Sequence, residues 1–405
     1  MAERNCFIRQ FKLAVAAALL PLLAACAGPA PEVRAPVEVK LLAFNDFHGY
    51  LTPPFSGVRQ IAPDPAGVRT MIPAGGIEHL ATLVTTLRAK NPRTALVSAG
   101  DLVGASPLIS SFFDDEPTVQ AMNRIGLDFN GVGNHEFDHG SAELQRLQTG
   151  GCAAGGCKSG TTFEGARFGI LAANVVVRET GKLLLPAYGI KTFGAIRIAF
   201  VGATLKGTPA LVPGAGVAGL DFVDEADAVN RLVPELRAQG VETIVVLLHQ
   251  GGAQRGGDYN SCVGFSGPVV DIARRLDPAV DVVVSGHTHQ AYVCQLHGKL
   301  VTSAGSYGRL LTEIDLSIDP QSRDVKAARA INHVVATALP KDPAMTEIVS
   351  RHAALAASLE NRVVGRISAP ISALADENGE SELGRLIADA QLEATVANGA
   401  VIAFM

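Results

Sequence analysis

Five short apolar segments of this chain each end in a cluster of polar residues, and this pattern constrains the fold more than any other feature. The segments have the length and β-branched content of strands, and the patterns between them are helical. The apolar segments are VEVKLLAF, TALVSA, FNGVG, TIVVLL and DVVV, and the clearest helical patterns are IEHLATLVTTLRAK and EADAVNRLVPELRAQG. This alternation of strands and helices predicts an α/β fold.

The polar residues that follow the five segments are candidates for one shared site. In α/β sheets ligands bind at the carboxyl ends of the strands, so all five clusters could meet along one edge. Five of the ten histidines fall in these clusters, which random placement would not favour. The candidate residues are Asp46, His48, Asp101, Asn134, His135, His249, His287 and His289.

The chemistry of these side chains indicates a metal centre. Carboxylates, an amide and imidazoles without thiolates suit Zn²⁺, Mn²⁺ or iron. In an extended chain residues i and i+2 share a face, so Asp-x-His and His-x-His can each reach one ion. The ligands are too many for a single four-coordinate ion, and two ions that share a carboxylate fit better. Each fragment alone is most often a turn or a hydrogen-bonded histidine, but five together favour the metal centre.

The composition of the chain narrows its class. Its 405 residues are 48% hydrophobic and 18% charged, which allows a sizeable core in one large domain or two. The net charge is −5 and no basic patch dominates, so a nucleic acid polymer is a poor candidate partner.

The N-terminal segment is typical of an export signal. Three cations precede the apolar stretch LAVAAALLPLLAA, which is too short for a stable transmembrane helix. The stretch ends in LAAC, and small residues directly before Cys26 resemble the bacterial lipoprotein box. We therefore expect a signal peptide over 1–25, a tether over 26–36, lipid on Cys26 and a place on the bacterial cell envelope facing the periplasm. The alternative is an ordinary signal cleaved nearby, which gives a soluble periplasmic protein.

Four cysteines remain once the signal and the lipidated cysteine are set aside. An even number in an oxidising compartment predicts two disulfides. Cys152 and Cys157 lie in a glycine-rich loop that could close on itself. Cys262 and Cys294 would then pair across the loops that flank the His-x-His segment. A metal site is the weaker interpretation, because CxxxxC is not a usual zinc spacing.

The fragments NDFHG, GDLVGASP, GNHEFD, LLHQGG and SGHTH resemble those of the calcineurin-like metallophosphoesterases. The branch that they resemble most is that of the bacterial periplasmic 5′-nucleotidases, which also act as UDP-sugar hydrolases and 2′,3′-cyclic phosphodiesterases. The resemblance runs from about Val37 to the C-terminus. It implies a β-sandwich flanked by helices, and hydrolysis of 5′-nucleotides and related phosphoesters by a hydroxide that bridges two divalent ions. It leaves open which divalent metal is bound.

The resemblance also implies roles for particular positions. His135 is not a ligand in the family but faces the phosphoryl group and pairs with an acid three residues on, here Asp138. The ligands that it implies are Asp46, His48 and His289 for one ion, Asn134, His249 and His287 for the second, and Asp101 as the bridge between them.

The expected domains follow from the same resemblance. We expect a catalytic domain over 37–342, a connecting helix over 343–360 and the start of an incomplete second α/β domain over 361–405. In the family, nucleotide-recognising arginines and aromatics lie later in that second domain, so none is assigned here and little preference for nucleotides is expected. Two alternatives remain: the thiosulfonate-hydrolysing sulfur-oxidation branch of the fold, and a non-catalytic envelope lipoprotein that only binds metal or nucleotide.

Overall fold

A computed structural model describes residues 35–61 and 70–404 of the chain. The predicted signal peptide, Cys26 and most of the predicted tether lie outside these described residues. No helix within the described ranges is both long enough and apolar enough to cross a membrane. The described residues fall into two compact units, one ending at Ala356 and the other beginning at Ala357.

Six strands form the first sheet of the larger unit. In their order across the sheet they are β17 (Val325–Val334), β16 (Leu310–Ile318), β1 (Val37–Phe44), β4 (Thr94–Ser98), β5 (Phe129–Gly131) and β6 (Gly169–Leu171). Strands β1, β4, β5 and β6 run parallel, whereas β16 is antiparallel to both of its neighbours. The carboxyl ends of β1, β4 and β5 therefore lie side by side at one edge.

The second sheet also has six strands. In order they are β14 (Ala291–Leu296), β15 (Lys299–Ala304), β13 (Val280–Ser285), β12 (Thr243–His249), β10 (Ile196–Thr204) and β9 (Tyr188–Phe193). The four central strands are parallel and the two outer strands antiparallel. Shorter strands pair as β2 (Val58–Arg59) with β3 (Met71–Ile72), and as β7 (Val175–Val177) with β8 (Lys182–Leu183) and β11 (Leu220–Phe222).

Helices cover the outer faces of both sheets. In chain order the helices of the described residues are α1 (Ile77–Arg88), α2 (Leu108–Ser111), α3 (Glu116–Ile125), α4 (Ser141–Thr149), α5 (Glu225–Asn230), α6 (Val233–Ala238), α7 (Pro268–Arg275), α8 (Pro343–Glu360) and α9 (Glu382–Thr395). Helices α1, α3 and α4 pack against the first sheet, and α5, α6 and α7 against the second.

One predicted helical pattern differs from the structure. The segment EADAVNRLVPELRAQG forms two short helices, α5 and α6, rather than one. Pro234 lies near the start of α6, where its missing N–H is tolerated. In a continuous helix the ring of Pro234 would clash with the carbonyl group of Asn230, so the helix is interrupted between them.

The inner faces of the two sheets pack against each other and form a sandwich core. Along β1, Val39, Leu41 and Ala43 face this inner core, whereas Leu42 and Phe44 face the helices. Because the central parallel strands are buried on both faces, their sequences are nearly continuous apolar runs. The predicted α/β sandwich flanked by helices is thus confirmed.

The four cysteines among the described residues pair as the sequence predicts. Cys152 is bonded to Cys157 with a Cα–Cα separation of 4.7 Å, and Cys262 is bonded to Cys294 with a separation of 5.2 Å. The second disulfide joins the long loop after β12 to strand β14. It therefore anchors a loop that starts directly at the candidate site.

The smaller unit is described from Ala357 to residue 404. It contains helix α9, whose first turn is capped by Ser381, since the hydroxyl group of Ser381 accepts a hydrogen bond of 3.0 Å from the Gly384 amide. No β-strand is present in the described part of this unit. The β portion of the expected second α/β domain is therefore not seen in residues 361–404.

Candidate metal centre

The predicted ligands lie at the carboxyl ends of five strands, β1, β4, β5, β12 and β13. His249 is the last residue of β12, and the other ligands follow their strands. The backbone at most of these positions is unusual, because non-glycine residues rarely adopt a positive φ. The φ values are 50° at Asp46, 48° at His48, 48° at Asp101, 71° at His287 and 54° at His289. Strained conformations of this kind persist only where the surroundings fix them, and they cluster at functional sites.

Two glycines allow the ligand loops to approach one another. A Cβ atom on Gly133 would clash with the Asp101 carboxylate and lie 2.8 Å from Cε1 of His249. A Cβ atom on Gly100 would lie 2.7 Å from Nδ1 of His249, and the φ of Gly100 is +89°. The loops after β4 and β5 can therefore meet the end of β12 only where these side chains are absent.

One group of ligand atoms comes from the loops after β1 and β13. Nε2 of His48 lies 3.1 Å from Nε2 of His289, and Nε2 of His289 lies 3.3 Å from a carboxylate oxygen of Asp46. Nδ1 of His48 donates a hydrogen bond of 2.8 Å to the Gly104 carbonyl, which leaves Nε2 as its free ligand atom. All three side chains offer ligand atoms within 4.8 Å of one another.

A second group comes from the last residue of β12 and from the loops after β4, β5 and β13. Nε2 of His249 lies 3.0 Å from Oδ2 of Asp101 and 3.2 Å from Oδ1 of Asn134. Nδ1 of His287 lies 3.0 Å from the same Asn134 oxygen. Nδ1 of His249 donates a hydrogen bond of 2.8 Å to the Ala99 carbonyl, which directs Nε2 into the group.

The Asp101 carboxylate lies between the two groups. Its Oδ2 atom is 3.0 Å from Nε2 of His249 in the second group and 3.7 Å from Nε2 of His48 in the first. Asp101 and Asp46 are 2% and 0% exposed, so their charges are desolvated and need compensation. The donor set consists of imidazoles, carboxylates and an amide, and the second ring nitrogens of His48 and His249 are already bonded to backbone carbonyls. This set fits divalent cations.

The ionisation of the buried histidines bears on metal binding. Although burial opposes protonation, the contact with Asp101 raises the pKa of His249 to about 10. Burial lowers the pKa of His48 and of His287. A metal ion at His249 must therefore displace a proton, and we expect metal affinity to fall as the pH is lowered.

His135 and Asp138 form a pair beside the two groups. Nδ1 of His135 donates a hydrogen bond of 2.8 Å to the Asp138 carboxylate, and this bond raises the pKa of His135. The His135 side chain is 31% exposed, more than the buried ligands His48 and His249. His135 also offers an atom within 4.8 Å of ligand atoms of His48 and Asp101, so its predicted role outside the ligand set remains a proposal.

Glu136 is a residue of the site that the sequence analysis missed. Its buried carboxylate accepts hydrogen bonds from the backbone amides of Asp101, Leu102 and Gly133, at 3.0, 2.8 and 2.7 Å. Burial, reinforced by the neighbouring Asp101 carboxylate, raises the pKa of Glu136 to about 7. Glu136 thereby ties the loop after β4 to the loop after β5. The sequence shows only that an acidic residue follows Asn134 and His135. This position alone does not distinguish a buried carboxylate from an exposed one.

The class of protein that this fold and this site define is that of the metal-dependent hydrolases. The calcineurin-like phosphoesterase profile matches residues 39–291, which is more than half of the chain and includes every proposed ligand. The chain belongs to the calcineurin-like phosphoesterase family, whose members use divalent metals.

Similar proteins agree with this assignment. The chain is 32% identical over 362 residues to the endonuclease YhcR of Bacillus subtilis, a match that covers 89% of this chain and 28% of YhcR. It is 30% identical over 288 residues to a 5′-nucleotidase of Vibrio parahaemolyticus, covering 69% of this chain and 45% of that protein. The chain thus spans less than half the length of either relative.

A solved structure shows the same fold. The 5′-nucleotidase precursor of Thermus thermophilus superposes with a TM-score of 0.67 at 24% identity, covering 90% of this chain and 68% of that one. At this identity the likeness establishes the architecture of the chain.

Proposed function

We propose that this protein hydrolyses phosphoesters with two divalent ions bound at the candidate metal centre. The observation that carries the proposal is the position of Asp101, whose carboxylate is within reach of histidines from both groups. We assign Asp46, His48 and His289 to one ion, Asn134, His249 and His287 to the other, and Asp101 to both. Zn²⁺ and Mn²⁺ both suit these ligands.

Divalent ions in such a pair neutralise the phosphoryl oxygens of a substrate and acidify a water molecule. The chain's own residues fix where this happens. The carbonyl groups of Gly104 and Ala99 hold the rings of His48 and His249 in one orientation, and Glu136 holds the backbone of Asp101. Reacting groups are therefore positioned before substrate binds, and this preorganisation lowers the barrier.

His135 supplies a positive charge beside the reacting phosphate. The Asp138 carboxylate accepts a hydrogen bond from Nδ1–H of His135 and stabilises the imidazolium form, so the pKa of His135 is raised and Nε2 keeps its proton to higher pH than in a free imidazole. Nε2 of His135 can then donate to a phosphoryl oxygen or to the leaving oxygen as negative charge develops there.

The pair makes a prediction about pH dependence. Because Asp138 raises the pKa of His135, replacing Asp138 by asparagine should lower that pKa, and the decline of kcat at alkaline pH should begin at lower pH. The pH profile of kcat measures this shift. Asp271→Asn, which removes an exposed carboxylate on α7, is the matched control and should leave the profile unchanged. An unmoved alkaline limb in Asp138→Asn would show that His135 does not act as the acid.

The substrates that we propose are 5′-nucleotides and related small phosphoesters. A direct test offers the purified protein AMP, an aryl phosphoester, a thiosulfonate and a single-stranded polynucleotide. We expect phosphate release from the first two. Sulfate release alone would favour the sulfur-oxidation branch, cleavage of the polynucleotide alone would favour a nuclease, and no release from any substrate would favour a binding protein.

We also propose that Cys26, outside the described residues, carries a lipid that holds the enzyme on the cell envelope. Each buried CH₂ of an acyl chain contributes about 0.8 kcal/mol to membrane binding, and more than one chain gives stable anchoring. Cys26→Ala should move the protein to the soluble fraction or leave its signal uncleaved, as shown by fractionation and mass spectrometry. Processed, membrane-bound Cys26→Ala protein would exclude the lipid anchor.

A further inference from the structure

A cleft opens beside His289 at the edge of the candidate metal centre. Its volume is about 370 Å³, within the range of small-molecule sites. Three segments line it. They are residues 57–61, residues 254 and 256–259 of the loop held by the Cys262–Cys294 disulfide, and residues 304–306, 309 and 310 where β15 turns into β16. His289 contributes to the wall of the cleft, so a phosphoester bound at the ions has this space next to it.

Arg309 is a half-buried cation in the wall of this cleft. Its guanidinium donates to the Ser306 carbonyl, to the hydroxyl groups of Ser306 and Ser56, and to the Gly57 carbonyl, at 3.2, 2.9, 3.2 and 3.4 Å. All of these acceptors are neutral. In the part of the chain that the structure describes, no carboxylate lies within ion-pair distance of Arg309, and burial lowers its pKa.

One of the five N–H groups of the Arg309 guanidinium has no hydrogen-bond acceptor among the described residues. A guanidinium has five N–H groups, and these contacts use one on Nε, two on Nη1 and one on Nη2. The second N–H of Nη2 has no acceptor among the described residues. An uncompensated charge with a spare donor, partly shielded from water, favours an anionic ligand.

The purely structural interpretation of Arg309 is that it ties the segment around Ser56 to the turn at Ser306. A neutral side chain that donates hydrogen bonds could join these two segments equally well. The neutral acceptors around Arg309 also do not offset the cost of burying its positive charge. The guanidinium also lies over the ring of Tyr307, 5.3 Å from its centroid, and that ring lies 5.3 Å from the ring of His289. Arg309 is therefore held at a fixed place one side chain away from the proposed metal ligand.

We propose that this cleft holds the part of a phosphoester that extends beyond the reacting phosphorus, and that Arg309 selects there for a second anionic group, either a carboxylate or a further phosphate. The inference rests on the proposed function and adds a substrate preference to it. Asp258 lines the same cleft and carries the opposite charge, with its Oδ1 atom bonded to the Asn260 amide and the Ser261 hydroxyl. Asp258 should therefore oppose the selection that Arg309 makes.

The test compares kcat/KM for matched pairs of esters that differ by one anionic group. Phenyl phosphate against 4-carboxyphenyl phosphate tests a carboxylate, and AMP against ADP tests a phosphate. Arg309→Met should reduce the preference for the more anionic member about tenfold, the size of one charge-assisted hydrogen bond, mainly through KM. Arg309→Lys should restore most of the preference, and Asp258→Asn should increase it. Arg178→Met, an exposed arginine paired with Asp221, is the control and should not change the ratio.

The outcomes separate this inference from the proposed function. If Arg309→Met slows both members of each pair equally and Asp258→Asn leaves the ratio unchanged, Arg309 only supports the loop and the inference is wrong. If Arg309→Met does not fold, the kcat/KM ratio of the two esters in Asp258→Asn decides the question. An unchanged ratio would then overturn the inference. If the unmodified protein releases no phosphate from any of the four esters, the proposed function itself fails.

Discussion

An Asp101→Ala variant is expected to lose more metal than a variant of any single histidine ligand, and to lose nearly all phosphate release. Oδ2 of Asp101 lies 3.0 Å from Nε2 of His249 and 3.7 Å from Nε2 of His48, so its removal would take a ligand and a negative charge from both of the ions that we propose. Changes to residues that merely orient a ligand typically reduce metal affinity about 10–100-fold, and a shared ligand should exceed that range. Elemental analysis after dialysis, alongside His48→Ala and His249→Ala, measures the difference.

The control for this experiment is His79→Ala. His79 is buried on α1, away from the ligands, and Nδ1 of its ring donates to the Leu339 carbonyl at 2.8 Å. This variant should keep its metal even if its stability falls. Equal metal loss in Asp101→Ala and His79→Ala would show that the loss reflects general destabilisation and that Asp101 is not the shared ligand.

His135→Ala is expected to lower kcat about 10²–10³-fold while metal content stays near that of the unmodified protein. The estimate follows from removal of a single donor that stabilises charge in a transition state, which costs about 3–4 kcal/mol. The exposed neighbour His139 offers a matched control, and His139→Ala should retain activity. Steady-state kinetics and elemental analysis of the same preparations give both quantities. Loss of metal from His135→Ala would instead make His135 a ligand.

Much of the fold was predictable because it depends on burial. Strand β1 spans the predicted segment VEVKLLAF, and each of its faces packs against a different core, which is the reason for an unbroken apolar run. The break between α5 and α6 near Pro234 was harder to predict. The apolar periodicity of the sequence continues across this break, whereas the helical backbone hydrogen bonds do not. Hydrophobic pattern therefore located the elements better than it located breaks within them.

The convergence of the site could be predicted because the carboxyl ends of parallel strands meet at an edge. What could not be predicted was how the side chains are held. The positive φ of Asp46 or His287 depends on contacts with other loops. The role of Glu136 likewise arises only when its carboxylate meets amides from the loop after β4 and from Gly133. The charge of Arg309 became informative only once its neighbours were known to be neutral.

Metal content and phosphate release, measured on the same mature protein during removal and restoration of metal, test the central claim most directly. The protein should bind two divalent ions per chain, lose phosphate release when a chelator removes them, and regain it when Zn²⁺ or Mn²⁺ is added back. Because we assign Asp101 to both ions, activity should follow the second equivalent of metal rather than the first. Full activity with a single ion per chain, or phosphate release that survives complete metal removal, would contradict the binuclear mechanism.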